Sequence, residues 1–406
     1  MSASNPSPPP PLPEGGTGAH RPLRSGGTSR SGDPLDVLSA LVERRTDPAD
    51  VPNATDIASN VPIYDGEAVE RAARDPAATA TLLDEWGGVL RDGAGVFAVR
   101  RALADTVLLD AVTREFEAVM EEESGSGPDH FAAAGANVRI WNAHEKLALR
   151  APALFVRYNA VATTALASRA WLGPDYQLTA QVNLVPPGGA AQAPHRDYHL
   201  GFMDAGQAAR YPVHVHALSP FLTLQGAIAH SDMPIESGPT QLLPFSQHWP
   251  SGYTASSREE VRALFAERAV QLALGAGDAL FFNPALLHAA GENRTSDVRR
   301  LANLLQVSSP FGRAMEIVDR TRLCRTIYPE LLRQVVAGRL DAFAREAVVA
   351  SSAEGYPFPA NLDLGWEGGG LRPPSQQDLL RAALADEREP ALVASELDAQ
   401  AARSRA

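Results

Sequence analysis

Gln177-Leu178-Thr179-Ala180-Gln181-Val182-Asn183-Leu184-Val185-Pro186-Pro187-Gly188-Gly189-Ala190-Ala191-Gln192-Ala193-Pro194-His195-Arg196-Asp197 decides how this chain is read. Gln177–Leu184 is a β-rich run, and Pro186-Pro187-Gly188-Gly189 ends it in a rigid, glycine-rich loop. His195-Arg196-Asp197 follows at once. On a strand or an extended rim, residues i and i+2 face one side, so this imidazole and carboxylate can converge on a single ion.

Outward from this stretch, further short runs continue to residue 309. They are Phe221–Ile228, Gln241–Leu243, Ala279–Phe282 and Leu301–Val307. Ser237-Gly238-Pro239 and Gly275-Ala276-Gly277-Asp278 punctuate them. Closely spaced short strands imply a sandwich or small barrel rather than alternating β and α units. The flanks read differently. Helical patterns cover Leu35–Val42 and residues 68–92, with a loop around Tyr64-Asp65-Gly66. Gly95–Val99 reads as a first strand, residues 104–122 as an amphipathic helix broken at 124–128, and 145–170 again as helix. After Pro310 the chain is helical to about 350, loop over 353–375, and helical over 376–403. Residues 1–34, with Pro8–Pro11 and few bulky apolar side chains, read as a disordered tail without a secretory h-region. The expected organisation is therefore a tail (1–34), a helical extension (35–94), an α+β, mainly β domain (95–310) and a second helical extension (311–406).

The 406 residues carry 36 basic and 48 acidic side chains, a formal charge of −12. That balance argues against coating nucleic acid or an anionic membrane. No apolar run approaches the ~20 residues of a membrane-spanning helix. Cys324 is the only cysteine, which excludes an intrachain disulfide and any multi-cysteine metal site, and fits a reducing cytoplasm. Lys146 is the only lysine, which reads as base-composition bias beside the abundant Ala, Arg, Gly and Pro.

Seven of the ten histidines fall between 177 and 309. His195 and Asp197 make two-thirds of a facial triad, the set that holds Fe(II) with open positions. By itself the tripeptide reads more readily as a solvated surface pair than as a metal site. Its context adds Gly277–His288, which places another histidine just past a strand, and Arg299-Arg300, which opens the next one. A guanidinium there can grip a dicarboxylate bidentately.

These residues resemble the phytanoyl-CoA dioxygenase family of iron(II)/2-oxoglutarate oxygenases. Four spaced motifs carry the likeness over about residues 95–310: Asn183-x-x-Pro186-Pro187-Gly188, His195-x-Asp197, Glu236-Ser237-Gly238-Pro239 through His248, and Gly277-Asp278…His288…Arg299. The Pro244-x-Ser246-x-His248 spacing is one residue off the family pattern. The resemblance implies a double-stranded β-helix (jelly roll) with flanking helices. It implies Fe(II) on His195, Asp197 and His288, and 2-oxoglutarate on Arg299, with Arg300 its rival because strand alternation turns only one inward. Asn183 and Gln181 would face the cosubstrate, as would Gln225, where the family often has tryptophan. Asp197, which halogenating relatives lack, points to hydroxylation of a C–H bond with release of succinate and CO2. O2 and a small molecule would be the partners of a monomer or homodimer.

His199, Tyr198 and Phe202 are candidates for substrate contact, each against plain packing or a local hydrogen bond. His214 and His216 alternate as on one strand face, although Pro212 and Pro220 favour a loop or edge. His144 and Lys146 precede the core where the family sometimes supplies a basic cosubstrate contact, and an exposed helical lysine is the plainer reading. A zinc hydrolase of cupin-like fold needs no dicarboxylate-binding arginine, and an inactive cupin-like binding protein would have lost ligands.

Overall fold

The computed structural model describes residues 34–123, 137–362 and 371–404. The expected tail up to residue 33, the break at 124–128 and part of the 353–375 loop lie outside them. Ten strands are present among the described residues: β1 Asp56–Ala58, β2 Val61–Asp65, β3 Val96–Arg100, β4 Val138–Ile140, β5 Gln177–Val185, β6 Thr223–Ala229, β7 Gln241–Leu242, β8 Ala279–Phe282, β9 His288–Ala289 and β10 Arg300–Ser308. Eight form one sheet in the order β1-β2-β3-β8-β6-β10-β5-β4, and β7 pairs with β9 in a second. Every pairing is antiparallel except β2 with β3. Single bridges extend the small sheet, His195 to His288 and Leu242 to Val270.

Period-two alternation divides the large sheet's side chains between two cores. Phe97, Val99 and Phe281, with Leu178, Ala180 and Val182 of β5, pack against helices. Val96, Ala98, Leu280 and Phe282 point the other way, toward Leu242, Phe245 and Leu286 around the small sheet. The helix Pro76–Arg91 shows how the helical layer docks. Asp75 caps it by accepting from Ala77 N and Ala78 N, and Pro76 pre-sets its first turn. Its buried face, Leu82, Trp86, Val89 and Leu90, follows helical spacing. Trp86 stacks on Phe97 with centroids 4.5 Å apart, and Phe97 on Phe281 at 5.5 Å. Each such aromatic stabilises the fold by ~1.5–3 kcal/mol through burial alone. Gly226 leaves room for this layer, since a Cβ there would sit 2.7 Å from the Phe281 ring.

The architecture is thus mixed α/β around a large, mainly antiparallel sheet, with more residues in helices than in strands. Three expectations need correction. The stretch read as a loop around Tyr64 includes β2, so 35–94 is not purely helical. Val61, Pro62, Ile63 and Tyr64 are all buried, and a fully buried strand of five residues shows no alternation to detect. The expected helix 145–170 is three helices, 143–150, 152–159 and 162–172; Ala151 before Pro152 leaves the helical region at the first break, and Val161 is extended at the second. His214 and His216 lie in the helix Val213–Leu218, where i and i+2 diverge, so they form no strand-face pair. Among the described residues, no helix is long and apolar enough to cross a membrane.

Two buried histidines away from the sheet's inner face give the fold a pH dependence. His230 Nδ1 lies 2.8 Å from Thr113 Oγ1, which itself donates to Leu109 O; Tyr158 OH lies 2.9 Å from His230 Nε2 and accepts from Asn303. That chain is satisfied by the neutral ring, and burial pushes its pKa down to about 3. His144, pushed down to about 3 by burial and by Arg320, bonds Ser351 O at 2.9 Å. Below pH ~6.5 the unfolded chain therefore binds protons that the fold excludes, so stability present above that value is lost as pH falls toward 3. Glu316, raised to about 7 by burial, works in the opposite direction. The isolating readout is the denaturation free energy of wild type against His230→Gln. The gap between them should narrow by ~2–3 kcal/mol from pH 7 to 4.5, and a constant gap would remove His230 from the account.

Candidate metal centre

The loop after β5 runs back along β9. His195 N donates to His288 O at 3.0 Å, His288 N to His195 O at 3.1 Å, and Asp197 N to Pro284 O at 3.2 Å. This extended pairing turns His195 and Asp197 to one side and Arg196 to the other. Arg196 is buried and donates to Ser246 O at 2.7 Å and Trp249 O at 3.0 Å, which pins the rim from behind. Tyr198 and His199 then take positive φ values, 62° and 42°, backbone strain beside a functional group.

His195, Asp197 and His288 come together, with one potential ligand atom from each within 4.8 Å of the others. His195 Nε2 lies 3.5 Å from Asp197 Oδ1, and His288 Nε2 lies 3.5 Å from Asp197 Oδ2. These separations are long for hydrogen bonds, yet close to the ~3 Å between neighbouring ligands when metal bonds are ~2.1 Å. Each imidazole is oriented by a carbonyl two residues upstream, His195 Nδ1 by Ala193 O at 2.8 Å and His288 Nδ1 by Leu286 O at 2.9 Å. A carbonyl only accepts, so each Nδ1 carries a proton, which makes Nε2 the nitrogen that faces Asp197 and would serve a metal. Burial raises the Asp197 pKa, but His288, His195 and the Gln225 amide outweigh it and hold it at about 2. His195 is lowered by burial and by His288. The set therefore offers two imidazole nitrogens and one carboxylate that stays ionised at neutral pH, the donors of an open divalent-metal site.

The three residues line a cavity of about 150 Å³ together with Gln181, Asn183, Gln225 and Arg300. Here one expectation is corrected. Arg299 is exposed and does not line this cavity, whereas Arg300 is 6% exposed and faces it. The register is the reason. In β10, Ala302 lies opposite Asn183 and Leu304 opposite Gln181, so the even positions share the inner face with the two polar residues of β5. Arg300 donates to Ser237 O at 3.0 Å and approaches Gly291 O at 3.5 Å. No carboxylate faces it among the described residues, and burial lowers its pKa to about 10. A buried guanidinium bonded only to carbonyls is costly and calls for an anion.

Of the candidates for substrate contact, Phe202 lines the cavity and is half exposed. Tyr198 is buried behind it, with its hydroxyl unpartnered, and does not line the cavity. His199 is turned away, 3.4 Å from Ser219 Oγ. His144 is buried against Ser351, and Lys146 pairs with Glu123 at 2.5 Å, so neither reaches in. Arg139, Gln192 and Thr240 also line the cavity and were not singled out as cosubstrate contacts. Arg139 donates to Gln181 Oε1 at 2.7 Å. Its place depends on β4 pairing with β5, which three residues of sequence do not announce.

Gly238 supports the Arg300 end. It has φ of +72°, and a Cβ would fall 2.3 Å from Glu292 O and 2.5 Å from the Gly291 backbone. Gly238→Ala should cost ~2 kcal/mol or more in thermal or chemical unfolding. An unchanged midpoint would contradict this reading of the turn.

The sequence model described as phytanoyl-CoA dioxygenase (PhyH) matches residues 92–301, more than half of the chain. The chain belongs to the phytanoyl-CoA dioxygenase family. Among relatives of this family member, dioxygenase trt7 of Aspergillus terreus is 30% identical over 202 residues, covering 49% of this chain and 58% of that protein. Iron/alpha-ketoglutarate-dependent dioxygenase ausU of Aspergillus calidoustus is 30% identical over 157 residues, 36% of this chain and 46% of that protein. The chain spans about half the length of these curated relatives. The non-heme alpha ketoglutarate dependent carbocyclase SnoK from nogalamycin biosynthesis superposes with a TM-score of 0.42 at 18% identity, over 61% of this chain and 92% of that one.

Proposed function

We propose that this chain is an Fe(II)- and 2-oxoglutarate-dependent dioxygenase that hydroxylates a C–H bond of a small molecule and releases succinate and CO2. The observation that carries the reading is Arg300, a buried cation without a carboxylate partner among the described residues, in the same cavity as His195, Asp197 and His288. In this reading the two sheets are the walls of a double-stranded β-helix, and residues 95–310 are the oxygenase unit, to which β1 and β2 add a sheet edge.

His195, Asp197 and His288 would hold the iron, and Arg300 the distal carboxylate of 2-oxoglutarate, with Gln181 and Asn183 facing the same cosubstrate. Bound iron supplies O2 activation coupled to oxidative decarboxylation of the keto acid. The chain's own residues orient the reactants and keep water out. Leu274, Leu280, Phe282 and Met233 give the cavity an apolar wall. Its 150 Å³ is small beside the ~300–1,000 Å³ of most ligand clefts, which suits a five-carbon diacid and leaves the substrate to the mouth at Phe202 and Met315. Asp197 fills the position that halide would need, which favours hydroxylation.

The test is O2-dependent succinate formation by the full chain with Fe(II), ascorbate and 2-oxoglutarate. Slow uncoupled turnover in the wild type, and none in Arg300→Leu, is the expected result. Equal release from both proteins would sink the assignment of Arg300.

A further inference from the structure

Gln225 lies on β6 between β8 and β10, and it is 8% exposed. Its Nε2 donates to Asp197 Oδ2. An ionised carboxylate can only accept, so this contact fixes which way the amide faces. The residue directly opposite in β10 is Gln306, whose Oε1 accepts from Gln181 Nε2 at 3.3 Å, and Gln181 in turn accepts from Arg139. The strands behind Gln225 are thus braced across the inner face. Asp197 Oδ1 lies 3.5 Å from His195 Nε2 and Oδ2 the same distance from His288 Nε2, so both oxygens border the ligand set and Oδ2 alone carries the amide hydrogen bond.

The coordination arithmetic makes that hydrogen bond consequential. Two imidazoles and a carboxylate bound through one oxygen leave three positions on an octahedral ion. A carboxylate bound through both oxygens leaves two, and a chelating keto acid fills both. Resting on the oxygenase reading above, we infer that Gln225 is a positioning residue. By holding Oδ2 it commits Asp197 to the metal through Oδ1 alone, and so keeps open the position that O2 requires. The sequence suggested a cosubstrate contact for Gln225, and the hydrogen bond gives it this other task.

Nitric oxide serves as a probe of the open position. Iron-loaded full chain is titrated anaerobically with 2-oxoglutarate, followed by absorption, and then with nitric oxide, followed by electron paramagnetic resonance. Wild type, Gln225→Met and Gln225→Asn are compared. Met keeps the length without a donor, and Asn keeps the amide but is one methylene too short. The charge-transfer band should form in all three, while nitric oxide affinity falls about 10-fold or more in both variants. If Gln225→Met does not fold, Gln225→Asn carries the comparison. A band in every protein with equal nitric oxide affinity overturns this inference alone. No band in the wild type overturns the oxygenase reading, and this inference falls with it.

Discussion

Asp197→Ala should leave a folded protein that no longer retains iron. Asp197 supplies the only carboxylate of the three-residue set and the only negative charge in it. It also holds its charge well below neutral pH, so the wild-type site is ready for a divalent cation without a proton to displace from this ligand. Outer-shell partners of metal ligands are typically worth 10- to 100-fold in affinity, and removing a ligand outright should cost at least about 100-fold. The same change leaves the Gln225 amide without its acceptor, a loss of ~1–3 kcal/mol in unfolding free energy. The two effects separate by measurement. Iron retention after gel filtration and a dissociation constant for Co(II) report the first, and denaturant unfolding of the metal-free protein reports the second. Metal affinity within a few-fold of wild type would remove Asp197 from the ligand set.

Arg300→Leu and Arg299→Ala should differ sharply despite being neighbours. Arg299 is exposed, so its loss should change 2-oxoglutarate affinity less than two-fold and stability by less than ~0.5 kcal/mol. Arg300 is buried in the cavity, and truncating one side of a buried charge pair costs ~2–5 kcal/mol, or about 30- to 5,000-fold in affinity. The ligand-free variants reverse the usual expectation for a core change. Arg300 bears the desolvation cost of an unpaired cation, so Arg300→Leu should be at least as stable as wild type without ligand. Cosubstrate should then protect the wild type against unfolding, by ~2.7 kcal/mol at a hundred times its dissociation constant, and leave Arg300→Leu unprotected. Equal protection in both, or a loss confined to Arg299→Ala, would reverse the assignment.

The choice between these two arginines shows where the sequence stops being sufficient. His195 and Asp197 could be placed together because their convergence is local, needing only an extended backbone over three residues. His288 stood out by its position just past Ala279–Phe282, the strand that β8 reproduces residue for residue, and only the family resemblance made it a ligand candidate. Arg299 against Arg300 is a question of parity, and parity is fixed by the pairing of β10 with β5, a contact between residues more than a hundred positions apart. Short elements were hidden for a related reason. β1, β2 and β4 have three to five residues each and draw their stability from neighbours rather than from pattern. Arg139, Gln192 and Thr240 reach the cavity only through such pairings and loops. The interrupted helix 145–170 differs, since Pro152 marks its first break in the sequence itself.

Anaerobic absorption of the metal-free protein during addition of Fe(II) and then 2-oxoglutarate tests the central claim most directly. A new visible charge-transfer band in the wild type is predicted, saturating with one 2-oxoglutarate per bound iron, absent in Asp197→Ala and strongly weakened in Arg300→Leu. A folded, iron-loaded protein that shows no band at millimolar 2-oxoglutarate would contradict the account.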